Sequence, residues 1–241
     1  MSTLQRLDMK RTLLLAGVLL LNSWAFGQKQ TYVTRFDVYG GYSFLDSPHL
    51  GLFENGFAAQ IGVRPTTWYS LGFDYSTTGG DLKLTPELLP ATLQQQIGAV
   101  LTQLAAAGKL PPGYALVLPA HSRTQTFAVG PQLAFRHWVH ETIFVRPVFA
   151  GAVHEAATAK PQDPIGAAIL AQVAPSGTKT DTTWFLGLGG GFDILPSRHL
   201  GIRTQADVVY DHLFNDLLKD GRWTIRFSVG PAFNFGKNIA R

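Results

Sequence analysis

Bulky apolar side chains recur at every second position near the end of the chain: Trp223, Ile225, Phe227, Val229, Phe233 and Phe235 alternate with Thr224, Arg226, Ser228, Gly230 and Asn234. Successive side chains of an extended strand point to opposite faces. A period of two therefore marks a sheet with two chemically different sides and is incompatible with the 3.6-residue period of a helix. The pattern returns seven more times. Phe36, Val38, Gly40, Tyr42 and Phe44 oppose Asp37, Tyr39, Gly41 and Ser43; Phe57, Ala59, Ile61 and Val63 oppose Gln60, Gly62 and Arg64; Tyr69, Leu71, Phe73 and Tyr75 oppose Ser70, Gly72 and Asp74. Phe127, Val129, Leu133 and Phe135 then face away from Gly130, Gln132 and Arg136, and Ile143, Val145 and Phe149 away from Arg146, Ala150 and Ala152. Trp184, Leu186, Leu188 and Phe192 oppose Gly187, Gly189, Gly191 and Asp193, and Leu200, Ile202, Ala206, Val208 and Tyr210 oppose Arg203, Gln205 and Asp207.

Eight such segments, at about 34–44, 56–64, 68–76, 124–136, 142–153, 183–193, 199–210 and 222–235, predict an all-β fold. An even number of strands suits an antiparallel barrel. Short turns are expected at 65–67, 137–141 and 195–198, and the intervening connections are longer, notably 77–123 and 154–182. Short turns on one side and long loops on the other is the asymmetry of membrane barrels, periplasmic and extracellular respectively.

A soluble barrel with an apolar interior would alternate equally well, so the facing needs its own argument. Aromatic residues concentrate at the strand ends: Phe44, Phe57, Tyr75, Phe127, Trp184, Tyr210 and Trp223 towards the long loops, and Phe36, Tyr69, Phe135, Phe192 and Phe235 towards the short turns. Two such sets predict girdles at two membrane interfaces. The other face mixes Gly, Ala and Ser with a few long charged residues, which suits the tightly filled interior of an eight-stranded barrel. Lysine is absent from the expected strands, whereas a water-facing surface would carry more Lys and Glu. In hydrocarbon each unpaired backbone amide costs several kcal/mol, so a sheet that enters lipid must close on itself.

The start of the chain reads as an export signal. Arg6, Lys10 and Arg11 precede a leucine-rich stretch from Thr12 to Leu21, and Ala25-Phe26-Gly27 offers small residues for cleavage after Gly27. An uncleaved transmembrane helix is the competing reading, but Asn22 and Ser23 interrupt the apolar run before the ~20 residues a span needs. Residues 28–241 then form one barrel domain in the bacterial outer membrane. Cleavage would remove three bases and one acid from a formal charge of +4, so the basic balance implies no nucleic-acid partner. The chain has no cysteine, and hence neither disulfides nor a thiolate metal site. No further run of 18 or more apolar residues is present, which excludes a helical membrane protein.

The order of Val38-Tyr39-Gly40-Gly41-Tyr42-Ser43-Phe44, Val129-Gly130-Pro131-Gln132, Gly187-Leu188-Gly189-Gly190-Gly191-Phe192-Asp193 and Arg226-Phe227-Ser228-Val229-Gly230-Pro231-Ala232-Phe233 resembles the OmpA-type outer-membrane β-barrel domains. The resemblance covers residues 32 to 236 apart from the loops, and it speaks for an architecture, not for an activity. It implies a lipid and lipopolysaccharide environment and delivery by the barrel-assembly machinery, which in such proteins reads a terminal aromatic, here Phe235. The chain stops soon after the last strand. The peptidoglycan-binding domain of longer OmpA proteins is therefore absent from it, and that anchoring role is not expected.

Asp37, Asp74, Arg146, Arg203, Asp207 and Arg226 lie well inside the expected strands on the inward face, three of each sign. They predict a water-occluding network of ion pairs, with a narrow pore as the alternative. Symmetrical closure of the last hairpin sets Asp207 across from Arg226 and Arg203 across from Gly230, with Arg203 facing the glycines from 187 to 191 on its other side. Within loop 85–112, Leu88, Leu89, Leu93, Ile97, Val100, Leu101 and Leu104 recur at spacings of three and four, an amphipathic helix signal. A second apolar stretch runs from Ile165 to Val173, and the two are expected to pack together over the barrel mouth to hide their apolar faces, with a ligand- or partner-binding cap or contact with the outer leaflet as the alternatives.

No cofactor or metal is expected. His137, His140 and Glu141 fall in a tight turn and cannot share a helix face, and the glycines from 187 to 191 lie within a strand rather than before a helix. An outer-membrane lipid-modifying enzyme is the remaining alternative, with His121-Ser122 and Asp181 or Asp211 as its conceivable catalytic set. Neighbours in sequence on a strand point apart, however, so the chain is read as a non-enzyme.

Overall fold

The computed structural model describes residues 30–48, 50–173, 175–214, 218 and 221–240; the expected signal segment and its cleavage point lie outside them. Eight strands follow in order: β1 (Thr34–Ser47), β2 (Leu52–Val63), β3 (Tyr69–Leu84), β4 (Leu118–Phe135), β5 (Glu141–Ala159), β6 (Thr178–Ile194), β7 (Leu200–Asp211) and β8 (Arg222–Asn238). Each pairs antiparallel with its neighbours in sequence, and β1 pairs with β8, with Phe36 beside Phe235 and Tyr42 beside Val229. The sheet is a closed barrel, and closure leaves no edge whose amides lack a partner.

Burial follows the period of two along the strands, with its usual polarity reversed. Outward-facing Trp184 is 62% exposed, Phe127 58% and Trp223 56%, whereas inward-facing Arg146 and Arg203 are 1% exposed. Large apolar side chains are ordinarily the buried ones. Here they form the outer wall, and the interior is polar.

The strands run further towards the long-loop end than the alternation predicts. β3 continues to Leu84, β4 begins at Leu118, β5 reaches Ala159 and β6 starts at Thr178. Lys83 and Lys179 consequently fall inside β3 and β6, and Lys237 lies at the turn-side end of β8, which runs to Asn238; all three are near strand ends, which corrects the expectation of lysine-free strands. The β1–β2 connection is also short, not long: Leu50 donates to the Ser47 carbonyl at 3.0 Å and Gly51, at φ 58°, completes the turn.

One strand changes faces midway. Val129 pairs with Ala150 and Leu133 with Val145, so β5 carries one more residue than β4 between these points; Arg146 and Phe149 oppose Gly189 and Gly187, giving the same surplus against β6. The extra residue lies at Pro147-Val148, where both side chains face out. Proline has no amide to offer a ladder, and a bulge is where a sheet tolerates that. Beyond it the inward positions become odd. Phe149 is thus buried in the lumen at 1% exposure, while Ala152 faces outward, the reverse of the uninterrupted alternation expected for this segment.

Two helices cover the long-loop mouth: α1 (Ala91–Ala106), preceded by a 3-10 turn at Pro86–Leu88, and α2 (Pro164–Val173). Ile97 of α1, Ile169 of α2 and Leu116 form their shared core, with Leu89, Leu101, Tyr114, Leu118 and Ile165 packed around it.

Candidate functional site

Inward side chains stack in three polar layers along the lumen. Nearest the short turns, Asp37 accepts from Arg64 at 3.1 Å and from Arg203 at 2.9 Å. Arg203 also meets Asp193 at 2.7 Å, directly across the β6–β7 ladder, and donates to Gln60 Oε1 at 2.6 Å. Arg64 closes the layer on Asn234 Oδ1 at 3.0 Å.

In the middle layer Asp207 is the hub. It accepts from Arg226 at 2.6 Å, from Arg146 at 3.3 Å and from Gln205 at 2.8 Å, and Arg146 also pairs with Asp74. The Arg146 guanidinium lies 4.0 Å from the centroid of the Phe149 ring, which the β5 bulge has turned inward. A planar guanidinium can stack on an aromatic face while its edge serves carboxylates.

The third layer, towards the loops, is built on Arg222, which pairs with Glu155 at 2.6 Å and with Asp211 at 3.3 Å. Ser122 donates to Glu155 at 2.7 Å, and Thr78 and Thr124 donate to Glu54 at 2.7 and 3.0 Å. Charges removed from water are tolerable only when paired and hydrogen-bonded, and the ion pairs of the three layers largely meet that condition, although Glu54 is held by hydroxyls alone and Arg146 Nε has no partner.

The six inward charges singled out from the sequence all lie in the first two layers, and Asp207–Arg226 and Arg203–Gly230 are register partners as the hairpin argument predicts. Arg203 does not occupy the glycine row, however. A Cβ at Gly187 would sit 2.4 Å from the Phe149 ring and one at Gly191 2.4 Å from the Phe144 ring, so those glycines make room for two inward phenylalanines. Sequence reasoning missed Arg64, Asp193 and the whole third layer, Glu54, Glu155, Asp211 and Arg222. Arg64 and Asp193 stand on the predicted polar faces and were available to it. Glu54, Glu155 and Asp211 were hidden because their strands continue into segments that read as loop, which left Arg222, at the first position of its expected strand, without visible partners.

The aromatic sets face outward, but the strands continue past the loop-side set, so Phe57, Tyr75, Phe127 and Trp184 stand mid-strand, which corrects their expected place at the strand ends. Tyr75 and Phe127 pack at 4.9 Å between ring centroids and Tyr210 and Trp223 at 4.8 Å towards the loops; Phe36 stacks on Phe235 at 5.6 Å towards the turns. Phe44 adds contacts with Tyr42, Phe53 and Phe227. Phe57 and Trp184 also face outward and are exposed, and Tyr69, Phe135 and Phe192 lie at the turn-side ends of their strands.

The hydrolase candidates do not assemble. His121 turns outward to Asp81 at 2.9 Å while Ser122 turns inward to Glu155, Asp211 is bound to Arg222, and Asp181 accepts from the Phe214 amide at 2.5 Å. Among the described residues no three His, Cys, Asp or Glu side chains gather in a way that could hold a metal ion.

Above the third layer the lining turns apolar. Leu50, Leu52, Leu82, Ala120, Leu213, Phe214 and Leu218 are buried there in a core continuous with Val153, Phe149 and Phe185 below. A cavity of about 80 Å³ opens between this layer and the helical cap. Phe214 enters its wall with φ at 56°, a left-handed conformation that costs a non-glycine residue about 1–3 kcal/mol. Asp163 caps α2, accepting from the amides of Ile165 and Gly166 at 2.9 and 2.8 Å and from the Tyr114 hydroxyl at 2.9 Å. The Gly166 amide, with those partners, holds the Asp163 carboxyl below its ordinary value; burial, reinforced by Asp163, pushes the Tyr114 phenol up.

No family model matches the sequence, and no curated protein matches it. Solved structures do resemble it in shape. Ail, the attachment invasion locus protein of Yersinia pestis, is 11% identical over 84% of this chain and 99% of its own, with a TM-score of 0.47. The outer membrane protein OprG of Pseudomonas aeruginosa is 10% identical over 88% and 99%, with a TM-score of 0.48, and Neisserial surface protein A is 12% identical over 83% and 96%, with a TM-score of 0.45. Identities this low do not carry a function across.

Proposed function

We propose that this protein spans the bacterial outer membrane as an occluded barrel with a structural or surface-contact role, its β2–β3, β4–β5 and β6–β7 turns and both ends of the barrel chain in the periplasm and its helical cap outside the cell. The reversed polarity carries the reading. An outer wall of half-exposed Trp, Phe, Leu, Ile and Val around a lumen of buried arginines and carboxylates suits acyl chains outside and no others among common solvents. The height fits as well. Trp223 and Phe235 are twelve residues apart on β8, which at ~3.4 Å per residue and a tilt of ~40° spans about 30 Å, close to the ~25 Å band of such barrels with its interfacial girdles. Three layers of bonded charge and the inward Phe144 and Phe149 fill the lumen, which argues for plugging over conduction. Lipopolysaccharide then surrounds the outer half, and the barrel-assembly machinery inserts the chain.

The test is a pair of measurements on the chain beginning at Gln28. It is expected to need detergent or lipid to stay monodisperse, and to give no stable conductance steps in a planar bilayer. Monodispersity in plain buffer would overturn the membrane reading; stable steps would replace the plug with a small-solute pore.

A further inference from the structure

We infer that the cavity under the helical cap is a binding site for one small, uncharged, apolar molecule, of the size of a benzene ring or a short alkyl chain. The inference deepens the surface-contact reading and rests on it for placing the cap outside the cell. Three observations carry it.

The lining is apolar apart from Thr85, Glu155 and Lys179 and comes from many separate segments: Leu82 from β3, Ala157 from β5, Ile97 from α1, Leu170 from α2, Leu50 from the β1–β2 turn and Phe214 from the β7–β8 connection. A chance packing fault between two helices would not draw on the turns and the barrel wall together. The volume, about 80 Å³, is well above the ~10–15 Å³ that holds a water, and a wall made mostly of Leu, Ile, Ala and Phe offers water few partners; dry cavities of ~150 Å³ accept benzene. Two helices and a loop form the outer wall and can widen it to that size more readily than closed strands could.

Phe214 is the second observation. Its left-handed backbone is held by an Asp181 carboxylate on its amide and by the Leu218 amide on its carbonyl at 2.7 Å, and the result is an aromatic ring set in the cavity wall. Strain that the surroundings over-determine is a mark of binding and switch sites.

The third is the floor. Glu155 lines the cavity and is bonded below to Arg222 and Ser122, so an apolar guest cannot descend into the lumen without breaking a buried ion pair. The site is a dead end, and binding there is retention without passage.

Fluorobenzene, followed by its fluorine resonance, probes the site on the full chain in phospholipid nanodiscs, with empty discs measuring partition into lipid. The expected result is a saturable component of one equivalent above the empty-disc signal, weakened at least tenfold by Ala157→Phe, which fills the cavity from the barrel wall. Leu170→Asp places a charge in it from α2, outside the barrel, and is expected to do the same should Ala157→Phe fail to fold. Absence of a saturable component, or one that neither folded variant weakens, overturns the inference. That failure is separable from failure of the membrane reading, because a chain monodisperse in plain buffer can be titrated there.

Discussion

Asp207 concentrates the energetics of the lumen in one residue, since at 1% exposure it pairs with two guanidiniums and accepts from Gln205. Asp207→Ala would strand Arg226 on the hydroxyls of Ser76 and Thr126 and leave Arg146 with Asp74 alone. Removing one partner of a buried network costs ~3–5 kcal/mol, and a loss of that size is expected in urea unfolding from lipid vesicles. A loss under ~1 kcal/mol would mean the lumen is wet enough to solvate the freed arginines. The Asp207–Arg226 pair was legible in the sequence because a hairpin that closes symmetrically fixes its own register. The same construction across the 195–199 turn sets Asp193 against Arg203, but Asp193 stands at a strand end, where a carboxylate is ordinarily left to solvent. Pairings between strands that are not neighbours, such as Arg203 of β7 on Asp37 of β1, depend on barrel curvature and had no local sign.

Among the elements, α2 is short and apolar, and its start depends on the Asp163 cap behind a first-turn proline. The carboxyl is held below the ordinary aspartate value of 3.8, so folding favours its ionised form; the stabilisation is complete above that value and fades as pH falls through the lowered one. Proteolysis within 160–177 is accordingly expected to be slow near neutrality and to quicken below pH 3.8, with Asp163→Ala already fast at pH 7. Equal rates for the variant and the parent at pH 7 would remove the cap from the account. Of the two helices, α1 was visible in its three-and-four spacing, whereas α2 showed only as a short apolar stretch from Ile165 to Val173. β5 was misread because its loop-side half is largely small residues, Ala150, Gly151, Ala152, Ala156 and Ala157, which fit either face, so the sequence offered no contrast from which to detect the bulge at Pro147.

At the scale of the molecule, barrel and cap are separable. The strands bond to one another around the full circle, whereas α1 and α2 meet them through a small apolar cluster around Ile97, Leu116 and Ile169. Replacing residues 86–116 by a short Gly-Ser linker is expected to preserve the heat-modifiable electrophoretic mobility of a folded barrel while abolishing fluorobenzene retention. Loss of the mobility shift would show that the cap is needed for folding. The circle was readable from eight alternating segments because lipid and a crowded lumen impose contrary chemistry on the two faces; what the loops do above it was not, since their packing answers to each other. Closure also has a consequence for synthesis. Thr34 finds its partner Asn238 only when nearly the whole chain has been made, so every shorter product carries two bare margins of peptide groups. Until the final strand arrives, hydrocarbon is the worst place for this polypeptide to be, and something must keep its first strands waiting outside the bilayer.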